Sequence, residues 1–166
     1  VLSLLSGCAT WQEPDAADAA GDAVLRARAI TRTTQDVQLS ATVLGAEDSV
    51  RVFGTDIVAT GVQPVWIEVQ NGSKDVLWLL RSGTDPDYFS PREVAWSMHV
   101  TFGGSTNDRI DEHFDRLSFH NPIRPGTTRT GVLFTNPQPA PKVLNVDLLG
   151  NRALVPFTLF LPVPGY

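Results

Sequence analysis

The sequence has a single cysteine among its 166 residues and no long apolar run. One cysteine cannot form an intrachain disulfide, which argues against a small secreted scaffold held together by disulfides. Without an apolar run of about 20 residues, we expect no membrane-spanning helix. Basic residues are also scarce, because 13 Lys and Arg stand against 18 Asp and Glu. The net charge of −5 therefore gives no basis for nucleic-acid binding.

Several motifs of well-known enzyme classes are missing as well. The sequence has neither the G-x-S-x-G motif of serine hydrolases nor the H-E-x-x-H motif of zinc proteases. Its Gly103-Gly104-Ser105 loop lacks the lysine of a phosphate-binding loop. The chain is nevertheless long enough for one domain with a proper core, and its 42% hydrophobic content is ordinary for a globular protein.

We expect that core to be organised around residues 61–81, which read as two strands joined by a turn. Val65, Ile67 and Val69 alternate with more polar positions, as in a half-buried strand. Residues 71–73 have turn composition, and residues 76–80 are apolar on both faces, as in a fully buried strand. The two strands could form a hairpin or cross from one sheet to another.

Other periodic patterns predict further strands with short helices between them. The expected strands are residues 37–44, 100–102, 129–135, 143–149 and 154–161, the last two forming a hairpin around Gly150-Asn151. The expected helices are residues 22–30, 46–57, 91–98 and 106–117, although residues 49–53 also alternate like a strand. Ser90 and Glu93 have the spacing of a capping box, with Pro91 at the first helical position. Pro156 predicts that the last strand lies at a sheet edge or contains a bulge. These elements predict a mainly β protein, an immunoglobulin-like antiparallel β-sandwich with two or three short helices between strands.

Acidic residues provide the candidate metal ligands. Asp85 and Asp87 flank Pro86 and could bind calcium, but the loop has too few ligands and lacks EF-hand spacing, which favours a turn. Residues of the predicted helix 106–117 could serve a metal-assisted hydrolase: Asp108, Asp111, Asp115 and His113. A solvated helix face and a hydrogen-bonded core histidine are the simpler interpretations. His99 and His120 show no spacing that suggests a site, so we assign no catalytic residue, metal or cofactor.

Near the start of the chain, Leu5-Ser6-Gly7-Cys8 resembles the lipobox of bacterial lipoproteins. The resemblance implies that residues 1–7 end a signal peptide and that Cys8 is lipidated. Ala9, rather than Asp, then implies the outer membrane, with the protein facing the periplasm. Residues 9–21 are small and acidic, as in a tether. We therefore divide the chain into residues 1–7, a lipidated tether with a short helix at 8–34, and a sandwich domain at 35–166.

Five segments of the chain resemble a bacterial module that recurs in exported proteins ahead of an LssY-type C-terminal domain: QPVWIEVQN, DPDYFSPREVA, IDEHF, GVLFTN and NVDLLG. The resemblance brings no catalytic residues, and it implies that a further domain follows Tyr166. The leading hypothesis is a non-enzymatic lipoprotein of the cell envelope that binds or presents a protein or glycan partner. The alternatives are a metal-assisted hydrolase and an accessory domain of a larger protein.

Overall fold

The computed structural model describes residues 11–14, 22–81, 88–101 and 103–165 of the chain. The helices are α1 (Asp22–Arg28), α2 (Ala46–Phe53), α3 (Pro91–Ser97) and α4 (Gly104–Leu117), with a 3₁₀ turn at Val58–Thr60. The strands are β1 (Ile30–Thr34), β2 (Val37–Val43), β3 (Gln63–Asn71), β4 (Trp78–Leu80), β5 (Thr128–Thr135), β6 (Lys142–Leu149) and β7 (Leu154–Leu161).

The strands form two antiparallel sheets. The larger sheet has the order β1-β2-β3-β5, and the smaller sheet has the order β4-β6-β7. β3 is central in the larger sheet, because Val65 lies opposite Val43 of β2 on one side and Leu133 of β5 on the other. The two sheets pack face to face, which confirms the predicted mainly β, immunoglobulin-like sandwich.

β3 and β4 do not form a hairpin. β4 pairs with β6 in the smaller sheet, so the chain crosses between the sheets after Asn71. The expectation that β3 is half-buried was wrong, since every residue of this strand except Gln70 is buried. One face of β3 contacts the smaller sheet, and the other lies beneath helices.

Two hydrophobic clusters divide the protein into three layers. The first lies between the sheets and includes Val65 and Ile67 of β3 with Val146 of β6. The second lies between the larger sheet and the helices and includes Phe53 of α2 and Phe114 of α4. The helices are therefore not isolated insertions between strands, because they form a continuous layer over the larger sheet.

Helix α1 is held to the larger sheet by a buried carboxylate. The Arg26 guanidinium donates to both oxygens of Glu68 at 3.1, 3.0 and 2.5 Å, and it lies 5.9 Å from the centre of the Trp66 ring. Arg26 also holds the pKa of Glu68 below its usual value, although burial opposes this shift. The ion pair compensates the charge that Glu68 carries into the protein interior.

The predicted capping box of α3 is present. Glu93 N donates to Ser90 Oγ at 3.2 Å, and Ser90 N donates to the Glu93 carboxylate at 2.7 Å. Helix α2 confirms the helical interpretation of residues 49–53, but it ends at Phe53 rather than at residue 57.

Four expectations from the sequence differ from the structure. Strand β4 is not buried on both faces, because Trp78 is 49% exposed. Val100 and Thr101 lie outside any strand, so the strand predicted at 100–102 was wrong for the described residues. Strand β1 was not predicted at all. The β6–β7 hairpin is confirmed, but its connection spans residues 150–153 and is closed by a bond from Gly150 N to Ala153 O at 2.9 Å.

Pro156 lies in β7, which is an edge strand of the smaller sheet, as predicted. Among the described residues, none of the helices combines the length and apolar character needed to cross a bilayer.

Candidate functional site

The outer face of the smaller sheet carries a row of apolar side chains that remain half exposed. Trp78 of β4 lies opposite Leu149 of β6, and Leu149 lies opposite Leu154 of β7. Their exposed fractions are 49%, 44% and 44%. We call these three residues the apolar row. Contiguous exposed apolar side chains can mark a protein-binding surface, and tryptophan is enriched among the residues that contribute most to such interfaces.

Apolar side chains do not cover the whole outer face of the smaller sheet. In the middle of the sheet, Thr158 Oγ1 donates to Asn145 Oδ1 across the β6–β7 pair at 2.9 Å. At the far end, Val143 lies opposite Phe160, and both are exposed. Polar residues therefore separate two apolar ends.

The edges of the smaller sheet are less suited to binding than its face. At the β4 edge, Leu79 N donates to Asn121 Oδ1 at 2.8 Å, and Asn121 Nδ2 donates to Leu79 O at 3.0 Å. At the β7 edge, Pro156 removes one backbone N–H. A partner strand would need these backbone groups for its own hydrogen bonds, so the chain protects both edges from strand addition.

A polar basin lies at one end of the larger sheet, beyond the helices. It has a volume of about 450 Å³, and its lining includes Thr33, Gln38, Gln70 and Thr128. These four residues are successive cross-strand neighbours on the outer face. Their amides and hydroxyls are the groups that a neutral polyhydroxy ligand would require.

A charged cleft of about 390 Å³ is lined by residues of both α3 and α4, and two of the predicted acidic candidates are among them. Asp111 and Asp115 of α4 share this cleft with Arg92 of α3, Arg81 and His120. Asp111 is already engaged, because its Oδ1 lies 2.8 Å from His99 Nε2. His120 Nε2 lies 2.7 Å from the carbonyl oxygen of Asp115 and therefore donates to it. The cleft thus combines charges of both signs, and Asp111 pairs with a histidine that does not line the cleft.

The structure does not gather the candidate metal ligands into one site. No group of three His, Cys, Asp or Glu side chains suited to a metal ion occurs in the part of the chain that is described. Asp108 is exposed on α4 and is not among the residues that line the cleft. Asp85, Asp87 and Cys8 lie outside the described residues.

His113 is a buried, hydrogen-bonded histidine, as the simpler interpretation predicted. Its Nε2 lies 2.9 Å from the carbonyl oxygen of Val52. A carbonyl only accepts, so Nε2 carries the proton, and Nδ1 is free to accept from Arg116 Nη2 at 2.9 Å. Burial lowers the pKa of His113, with Arg116 acting in the same direction. In this hydrogen-bond arrangement the imidazole is neutral, and its neighbouring carboxylate is Glu13, whose Oε1 lies 3.7 Å from Nδ1, rather than an acidic residue of the charged cleft.

Sequence reasoning missed the contact that residues 11–14 make with the helical layer. We call this segment the strap. The indole N–H of Trp11 donates to Phe53 O at 2.8 Å, and its ring meets the His113 ring edge-on with 5.6 Å between centroids. Arg116 Nη2 donates to Glu13 Oε1 at 2.6 Å, and this bond lowers the pKa of Glu13. A tryptophan within a small, acidic segment was the signal that could have revealed this contact.

Comparison of this chain with protein-family models, with curated proteins and with solved structures yields no match.

Proposed function

We propose that this chain is a non-enzymatic lipoprotein of the bacterial cell envelope whose β-sandwich binds a protein partner through the apolar row. Lipidation of Cys8 would anchor it, in the outer membrane and facing the periplasm, as the lipobox resemblance of Leu5-Ser6-Gly7-Cys8 suggests. The observation that carries the binding role is the half-exposed row of Trp78, Leu149 and Leu154.

The edges of the smaller sheet support binding through its face over binding by strand addition. Both edges of the smaller sheet are protected by Asn121 and Pro156, so that its face is left for association. Trp78 is suited to be the dominant contact, because tryptophan is enriched among residues whose removal costs interfaces most. Protein interfaces are also enriched in aromatic residues and have a polar rim.

The first experiment tests the anchor. Cells that express the full chain are labelled with radioactive palmitate, and the Cys8→Ser variant is compared with the unchanged protein. We expect label only when Cys8 is present. An unlabelled wild-type protein would contradict the lipoprotein assignment.

The second experiment tests the apolar row. A photo-crosslinking amino acid is placed at Leu154 in the membrane-anchored protein, and crosslinked partners are identified with and without Trp78→Ser. We expect one saturable protein partner that is lost in Trp78→Ser. The matched control is Trp96→Ser, since Trp96 is 69% exposed on α3 but lies away from the apolar row.

Other outcomes would favour the alternatives. A crosslink from Leu154 to a segment that follows Tyr166 in a longer chain would favour the accessory-domain role. Binding to a glycan that is lost in Gln70→Ala, but kept in Trp78→Ser, would place recognition in the polar basin. Stoichiometric zinc or calcium in the purified protein would favour a metal-assisted hydrolase.

A further inference from the structure

The strap is seated in the helical layer by several independent contacts. Trp11 is bonded to Phe53 O, and Glu13 is bonded to Arg116 of α4. Gly54 closes α2 with φ of 72°, and a Cβ atom at this position would lie 2.4 Å from Gln12 O. Only a residue without a side chain lets the strap backbone approach so closely.

The strap lies on one side of the sandwich and the apolar row lies on the other. Trp11 packs against the cluster between the helices and the larger sheet. The apolar row lies on the opposite side of the protein, because the smaller sheet packs on the other face of the larger sheet. Packed sheets are separated by about 10 Å. The apolar row, on the far face of the smaller sheet, therefore lies at least about 10 Å farther from the strap than the larger sheet does.

The strap also shortens the connection to the proposed anchor. Three residues of chain span at most about 11 Å, so Cys8 stays within about that distance of Trp11. If the strap were not docked, the free connection from Cys8 to α1 would be 14 residues long, with a root-mean-square reach of about 20 Å. Such a tether would let the sandwich rotate freely above the bilayer.

We infer that the docked strap orients the protein on the membrane, with the helical layer against the lipid headgroups and the apolar row turned away from them. This inference rests on the proposed lipidation of Cys8. The anchor supplies the affinity for the bilayer, and the strap determines which side of the sandwich faces it. The apolar row is thereby presented to partners in the adjacent aqueous compartment.

The experiment measures energy transfer from single fluorescent labels to acceptor-labelled lipid headgroups in vesicles that contain the lipidated protein. Cys8 is the only native cysteine, and lipidation consumes its thiol, so one introduced cysteine can be labelled selectively. The two label positions are Val50→Cys on α2 and Phe160→Cys on the outer face of β7, which are 51% and 61% exposed. We expect greater transfer from position 50 than from position 160.

Two tryptophan variants complete the design. Trp11→Ala is expected to abolish the difference between the two labels, because the longer tether then allows many orientations. Trp96→Ala is the matched control and is expected to preserve the difference. Circular dichroism and the unfolding midpoint of each variant show whether the sandwich remains folded.

The outcomes separate this inference from the proposed function. Equal transfer from both labels in protein that floats with the vesicles overturns the orientation alone. A difference that persists unchanged in folded Trp11→Ala also overturns it, since the strap would not be the cause. Wild-type protein that lacks lipid at Cys8 and does not float overturns the proposed function and the orientation together.

Discussion

Replacing Gly54 with alanine tests whether the strap is held as tightly as its contacts indicate. Gly54 ends α2 in a left-handed conformation with φ of 72°, and Gly61 ends the 3₁₀ turn with φ of 86°. Alanine at either position adopts a disfavoured backbone conformation, which costs about 1 kcal/mol. The two sites differ in their surroundings. A Cβ on Gly54 would meet Gln12 O at 2.4 Å, whereas a Cβ on Gly61 has no atom within 4 Å.

The extra cost at Gly54 can be worked out from the contacts that the clash would displace. The hydrogen bond from Trp11 to Phe53 O contributes about 1 kcal/mol. The edge-on contact between the Trp11 and His113 rings contributes about 0.5–1 kcal/mol. We therefore expect Gly61→Ala to lower the free energy of unfolding by about 1 kcal/mol and Gly54→Ala to lower it by about 3 kcal/mol.

Urea denaturation measures the free energy of unfolding of both variants. A double-mutant cycle with Trp11→Ala then shows whether the larger loss in Gly54→Ala comes from displacing the strap. In the Trp11→Ala background the strap is already loosened, so Gly54→Ala should cost no more than Gly61→Ala. Equal losses for the two glycine variants in the wild-type background would refute the reasoning. An excess at Gly54 that survives in the Trp11→Ala background would also refute it.

Three further predictions concern other parts of the fold. Arg26→Met should lower the free energy of unfolding at pH 7 by about 2 kcal/mol in urea denaturation, less than for a fully buried pair because Arg26 is half exposed. The Glu68 pKa is depressed in the folded state, so the contribution of this pair is present above the unfolded carboxyl pKa of about 4.3 and is lost as the pH falls through the folded value. Arg26→Met should therefore reduce the loss of stability at acidic pH, whereas Arg32→Met on the exposed β1 edge should leave that loss unchanged. His113 also has a depressed pKa, so its contribution is present above the unfolded pKa of about 6.5 and is lost as the pH falls through the folded value. Unfolding curves between pH 7 and pH 5 should show this loss, and it should disappear in His113→Gln but persist in His120→Gln. Asn121→Ala should lower the free energy of unfolding by about 1–3 kcal/mol, because it leaves Leu79 N without its acceptor; unchanged hydrogen exchange at Leu79 would contradict this reasoning.

The sequence predicted best those elements whose pattern is local. The alternation of β6 and β7 predicted both strands and their pairing, because every inward position from Leu144 to Leu148 and from Val155 to Leu161 is apolar. The capping box of Ser90 and Glu93 located the start of α3. Helix α4 was predicted because Ile110, Phe114 and Leu117 recur at helical spacing on one face.

The elements that were missed depend on contacts made at a distance along the chain. Strand β1 has one apolar residue, Ile30, and is a strand because its backbone pairs with β2. The burial of both faces of β3 depends on helices that a period-two pattern cannot reveal. The strap depends on the pairing of Trp11 with a carbonyl group 42 residues away. None of these contacts leaves a periodic signal in the segment itself.

The candidate binding face could not be predicted from the sequence for a related reason. In β7 the inward residues Val155, Phe157 and Leu159 already explain the apolar character of the strand. Leu154 and Phe160 add apolar surface at outward positions, where the sandwich does not need it for its core. Sequence alone cannot distinguish these outward residues from core residues until the register with β6 is known. Once the register is fixed, Leu154 lies beside Leu149 and Trp78, and three scattered residues become one continuous row. The larger sheet covers its outer apolar residues with helices, whereas the smaller sheet leaves Trp78 and its neighbours half exposed, which is why we place partner binding there.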